Sequence, residues 1–158
     1  MRYGACRLEP GQSGHDAGWA LLEKLYREET GDPLPEVIRT SRGHPRFVGS
    51  DLCFSIAHTS RHALCVLSHS PVGIDAEELD RPVHLRLAEK ILSPGEMAQF
   101  RRAPDKRRAL LTFWVLKEAR AKRSGEGLTG FPNDTGFSLE DPRVYEWDGC
   151  LVAVLTEE

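Results

Sequence analysis

At 158 residues, 40% hydrophobic and 28% charged, the chain is long enough to bury its own core and has the composition of a soluble globular domain. No apolar run reaches membrane-spanning length and no charged-then-apolar leader opens the N-terminus, so neither a membrane-spanning nor a secreted protein is expected. The net charge of −3 conceals an asymmetry: residues 101–123 hold nine Lys or Arg against Asp105 and Glu118, a local +7, and the remainder carries −10. Such a basic stretch suggests an acidic partner or a polyanionic ligand, with a solvated helix face as the alternative reading.

Tyr3–Leu8 reads as a first strand, ended by Glu9-Pro10-Gly11. An amphipathic helix follows over Ala17–Thr30, with Leu21, Leu22, Leu25 and Tyr26 on one stripe and Gly31-Asp32-Pro33 as its stop. Arg42–Phe47 reads as a loop. Cys53–Ile56, Ala63–Ser68 and Val72–Glu77 have strand character, with His69-Ser70-Pro71 turning the second into the third. Helices are predicted over Val83–Ile91 and Pro94–Arg102. The latter has Ser93 as N-cap, Pro94 in its first turn and Glu96 to complete a capping box. Lys106–Ser124 is the longest predicted helix, stopped by Gly125-Glu126-Gly127. Short strands are predicted near Gly136–Leu139, Val144–Trp147 and Cys150–Leu155, with Asp148-Gly149 as a hairpin turn between the last two. The four cysteines, Cys6, Cys53, Cys65 and Cys150, show no CxxC spacing, and the last three lie in or beside apolar runs. A reduced, cytoplasmic protein without structural zinc is expected. The class is α+β, in one domain spanning residues 1–158.

Chemistry concentrates in two segments. In Val72-Gly-Ile-Asp-Ala-Glu77 the strand period sends Val72, Ile74 and Ala76 one way and Asp75 and Glu77 the other. In Phe113-Trp-Val-Leu-Lys-Glu-Ala-Arg-Ala-Lys122, Glu118 and Lys122 share a helix face. If the two meet, three carboxylates and an ammonium converge, a donor set that favours Mg²⁺ or Mn²⁺ over zinc and suits work on a phosphate. The competing reading lets Asp75 and Glu77 end a strand in solvent while Glu118 pairs with Lys122. Against it, Lys117-Glu118 interrupts the otherwise apolar Leu110–Ala119. His58, at the end of an apolar strand before Thr59-Ser60, reads either as a satisfied structural histidine or as an imidazole presented to an anion. A nucleic-acid surface is not expected, since few aromatics interleave the basic residues and the overall charge is acidic.

In this order and spacing, Phe54-Ser-Ile-Ala-His58, Val72-Gly-Ile-Asp-Ala-Glu77 and Phe113–Lys122 resemble the 4′-phosphopantetheinyl transferases. Gly43-His44-Pro45, Leu92–Glu96 and Gly125–Leu128 add to the likeness, which covers roughly Ala17 to Leu155. Having the histidine segment first resembles the surfactin-synthetase-activating type, here with an abbreviated first half. The resemblance implies that family's fold, small antiparallel sheets packed with helices in a pseudo-two-fold arrangement. It implies transfer of the 4′-phosphopantetheine group from coenzyme A to a serine of an acyl or peptidyl carrier protein. Asp75, Glu77 and Glu118 would bind Mg²⁺; Glu118 would take the serine proton, and Lys122 would offset charge on the phosphate and leaving group. His58, Lys117, His44, Arg46 and Arg42 would contact coenzyme A. The alternative is a relative that binds carrier protein or nucleotide without efficient turnover. Four departures bear on cofactor affinity: Trp19 stands where the family commonly has arginine, His44 where it has lysine, Ala57 where it has serine, and only the short link Pro10–Gly14 replaces a basic segment.

Overall fold

The alternating apolar pattern of the strands and the apolar stripes of two long helices sort the chain into sheets with helices laid on them. The computed structural model describes residues 1–126 and 135–157. Strand β1 (Arg2–Arg7) is followed by helix α1 (Gly14–Thr30), a hairpin β2 (Val37–Arg39) and β3 (Pro45–Phe47), then β4 (Cys53–His58), β5 (His62–Ser68) and β6 (Val72–Glu78). A 3₁₀ turn at Leu85–Leu87 leads into α2 (Ala88–Ile91), α3 (Pro94–Arg102) and α4 (Lys106–Ser124), and the chain closes with β7 (Val144–Trp147) and β8 (Cys150–Thr156).

Two three-stranded antiparallel sheets, ordered β1-β5-β4 and β6-β8-β7, lie beside each other. Their seam is bridged where the Ile74 amide on β6 donates to Ser55 Oγ on β4 at 3.1 Å. Helix α1 covers the first sheet through Leu22, Leu25 and Tyr26, and α4 covers the second through Leu111, Val115, Leu116 and Ala119. The caps agree with the sequence: Ser93 and Glu96 form the capping box of α3, and Gly125 ends α4 at φ +69°. Gly127, read as part of that stop, and Leu128, part of the family likeness, lie outside the described residues. Asp148 and Gly149 both take positive φ, as a two-residue hairpin requires.

Three expectations are corrected. Arg42–Phe47 is not all loop, because Pro45–Phe47 pairs with Val37–Arg39, a strand too short to show a period. The helix expected from Val83 begins as the 3₁₀ turn at Leu85 and becomes α-helical only at Ala88. No strand forms at Gly136–Leu139. The backbone there is satisfied by side chains of α3: the Phe137 amide donates to Glu96 Oε2 and the Leu139 amide to Gln99 Oε1, both at 3.0 Å.

Candidate active site

The site begins at Gly73. A Cβ there would lie 1.9 Å from the Ala119 carbonyl oxygen and 2.7 Å from the Arg123 amide nitrogen, so the backbone of α4 rests directly on β6. Gly73, Asp75 and Glu77 share this face, while Val72, Ile74 and Ala76 are buried in the core on the other. Glu118 and Lys122 flank Ala119 on successive turns of α4 and are brought down against Asp75. The Lys122 ammonium donates to Asp75 Oδ1 and the Ile74 carbonyl at 3.0 Å each and to the Ile56 carbonyl at 3.2 Å. It therefore clamps β4 to β6 across the seam of the two sheets.

Asp75 is 8% exposed, and burial lifts its pKa to about 6 against the pull of Lys122. Its second oxygen, Oδ2, is buried with no hydrogen-bond partner. Burial, and then the Asp75 carboxylate, raise Glu118 to about 7. Glu77 adds to the negative field on both and is itself paired with Arg81. An orphaned, buried carboxylate oxygen in the field of two more carboxylates is a donor set that a hard cation satisfies. The residues fit Mg²⁺ or Mn²⁺ by that test. Among the described residues the three are nevertheless not a set with ligand atoms within 4.8 Å of one another; Lys122 pairs with Asp75 and Arg81 with Glu77.

The one His/Cys/Asp/Glu set among the described residues with ligand atoms within 4.8 Å of one another is His62, Glu78 and Cys150. One residue beyond Glu77, Glu78 points to the opposite face of β6. The polar atoms there are already satisfied. His62 meets Glu78 Oε1 through Nδ1 and Asp148 Oδ2 through Nε2, both at 2.7 Å, and Arg61 donates to Glu78 Oε2 at 2.9 Å. Both ring nitrogens face carboxylates, and Cys150 Sγ lies 3.1 Å from Nδ1. This is an ion network tying β5 to β6 and to the β7–β8 turn.

Above Glu118 and Lys122 opens a cavity of about 400 Å³ walled by α1, the β2–β3 hairpin and β4. Of the residues expected to contact coenzyme A, Arg42, His44 and His58 line it. Burial lowers the His44 pKa, so this imidazole is less readily charged than a free one. Arg46 does not line it: on β3 the side chains alternate, so Pro45 faces the cavity and Arg46 is exposed beyond it. Lys117 is corrected outright. It is 1% exposed and donates to Glu96 Oε1 at 2.7 Å and to Thr135, in a buried pair on another face of α4. Two lining residues were not singled out from the sequence, Arg39 and His15. His15 was legible in principle, because Ser13 followed three residues on by Asp16 marks the earlier helix start that the structure shows. A second cavity, of about 510 Å³, shares His58 and is lined by Glu77 and Arg81.

Residues 71–148 match the family model described as the 4′-phosphopantetheinyl transferase superfamily. The chain is 35% identical over 96 residues to the 4′-phosphopantetheinyl transferase HetI of Nostoc sp., covering 56% of this chain and 40% of the relative. It is 31% identical over 81 residues to a 4′-phosphopantetheinyl transferase of Bacillus subtilis, covering 50% and 36%. It is 29% identical over 115 residues to the 4′-phosphopantetheinyl transferase gsp of Aneurinibacillus migulanus, covering 70% and 48%. The matches thus span less than half the length of these relatives.

Proposed function

We propose that the chain moves the 4′-phosphopantetheine group of coenzyme A onto a serine of an acyl or peptidyl carrier protein, a reading supported by the match of residues 71–148 to the 4′-phosphopantetheinyl transferase superfamily model. Adenosine 3′,5′-bisphosphate is the other product. The observation that carries this reading is that Glu118 and Lys122, the latter paired with Asp75, line a cavity large enough for part of a nucleotide. The order of the motifs favours the surfactin-synthetase-activating type with an abbreviated first half. The four free cysteines accord with a reducing, cytoplasmic setting, and among the described residues no helix is long and apolar enough to cross a membrane.

Asp75, Glu77 and Glu118 are the residues that would hold Mg²⁺ or Mn²⁺, which when bound neutralises pyrophosphate charge. Lys122 is fixed by three acceptors, so its ammonium is pre-set beside the phosphate. The serine oxygen forms the new bond to phosphorus as the bridging P–O bond breaks, and the leaving electron pair ends on the bisphosphate. Glu118, which lines the cavity, takes the serine proton. His58, Arg42 and His44 hold phosphates in the cavity. Exposed Arg101 and Arg102 at the end of α3 present positive charge to an acidic carrier surface.

The deciding experiment incubates apo-carrier protein with coenzyme A, Mg²⁺ and the enzyme, and weighs the carrier. A gain of ~340 Da, the covalent formula of the transferred group, is expected, and it disappears with Glu118→Gln. Tight coenzyme A binding without a mass gain would leave the chain a binding relative only.

A further inference from the structure

Part of the lining of the cavity that holds Glu118 and Lys122 is aromatic. Trp19 lines it from α1, with His15 one turn earlier and Phe54 on β4 beneath. Gly18 brings this wall in close, since a Cβ there would lie 2.4 Å from Ile56 Cγ2. The indole is fixed on two sides. Its N–H donates to His15 Nε2 at 3.1 Å, and its ring meets Phe54 at 5.9 Å between centroids and 65° between planes. The other ring nitrogen of His15, Nδ1, faces Asp16 Oδ1 at 3.4 Å. The one polar atom of Trp19 is therefore spent inside the protein. What remains for the cavity is an apolar π surface, in a lining that also holds Arg39, Arg42 and His44.

We infer that Trp19 is the specificity-determining residue of this cavity: it stacks on the adenine ring, so that the site reads the base of coenzyme A more than its 3′-phosphate. The inference rests on the proposed function for the identity of the ligand. A flat, satisfied indole offers dispersion and stacking to a purine and nothing to a phosphate. An arginine at this position would offer a charge-assisted contact to phosphate instead. The two contacts are of similar size, so the exchange shifts what is recognised more than how tightly. It also removes one screened charge contact, which weakens the dependence of binding on salt.

The test titrates wild type, Trp19→Ala, Trp19→Phe and Trp19→Arg with coenzyme A, dephospho-coenzyme A and 4′-phosphopantetheine by calorimetry, at low and high salt. Wild type is expected to bind coenzyme A and its dephospho form within a few-fold of each other. Trp19→Ala is expected to weaken both by about ten-fold or more, the typical value of a base–aromatic stack, and to leave 4′-phosphopantetheine unchanged. Trp19→Phe keeps most of the affinity, and Trp19→Arg restores a preference for the 3′-phosphate that fades with salt. Should Trp19→Ala fold poorly, the phenylalanine and arginine variants still decide the matter. Wild-type binding of coenzyme A with Trp19→Ala or Trp19→Arg indistinguishable from it overturns this inference alone. No binding of coenzyme A by wild type overturns this inference and the proposed function together.

Discussion

Replacing Lys117 by methionine separates a structural lysine from a ligand-binding one. Lys117 and Glu96 are 1% and 0% exposed, and Glu96 also accepts the amides of Ser93 and Phe137 and the hydroxyl of Thr135. Burial works to raise the pKa of Glu96, and these donors, Lys117 foremost, reverse it. Removing one partner of such a buried pair leaves an uncompensated charge and costs about 3–5 kcal/mol. For 158 residues the unfolding entropy is roughly 0.3 kcal/mol/K, so the loss corresponds to a Tm drop of about 9–15 °C. Protonation of Glu96 in the variant pulls the result toward the lower figure. The double variant Glu96→Gln/Lys117→Met should recover much of the loss, since a glutamine still accepts the Ser93 amide and no charge remains to be paired. Thermal unfolding followed by circular dichroism, with coenzyme A titrations alongside, reads both effects. Lys117→Met is expected to melt early and bind coenzyme A as wild type does at a temperature where both are folded. A variant that melts within about 2 °C of wild type yet binds coenzyme A poorly would refute the burial argument and return Lys117 to the ligand site.

Two further outcomes follow from the same packing. Gly73→Ala puts a methyl group where the Ala119 carbonyl already lies, so α4 must lift from β6; a loss of about 3 kcal/mol or more is expected, with turnover falling about a hundred-fold as Glu118 and Lys122 move. Gly95→Ala in α3, where nothing lies within 4 Å of the new Cβ, is the matched control and should be neutral or mildly stabilising; equal behaviour of the two would sink the close-contact reading. The acid limb of stability should depend on Glu78, whose pKa is held down to about 2 from 4.5 by Thr59, Arg61 and His62 despite its burial. A depressed folded-state value stabilises above the unfolded one and is lost as protons are taken up, so Tm should fall between pH 4.5 and about 2, and Glu78→Gln should flatten that stretch of the profile. An unchanged slope would show that the network contributes nothing in this window.

Local pattern by itself determined which residues could work together. The period of two in Val72–Glu77 set Asp75 and Glu77 apart from the core positions, and the helical period put Glu118 and Lys122 on one stripe. Caps and turns were equally readable, because Ser93 with Glu96, Gly125 and Asp148-Gly149 act on neighbours in sequence. Tertiary structure alone decided partners. Lys117 and Lys122 both belong to α4, five residues apart and so well rotated around the helix axis; only the fold shows that the second meets Asp75 while the first is buried against Glu96. The backbone at 136–139 looked like a strand, but side chains of α3, distant in sequence, claimed its hydrogen bonds. The same holds for Trp19, which becomes a cavity wall because Gly18 lets α1 close onto β4. Periodicity states which face a residue occupies; what stands opposite that face depends on contacts made across the whole chain.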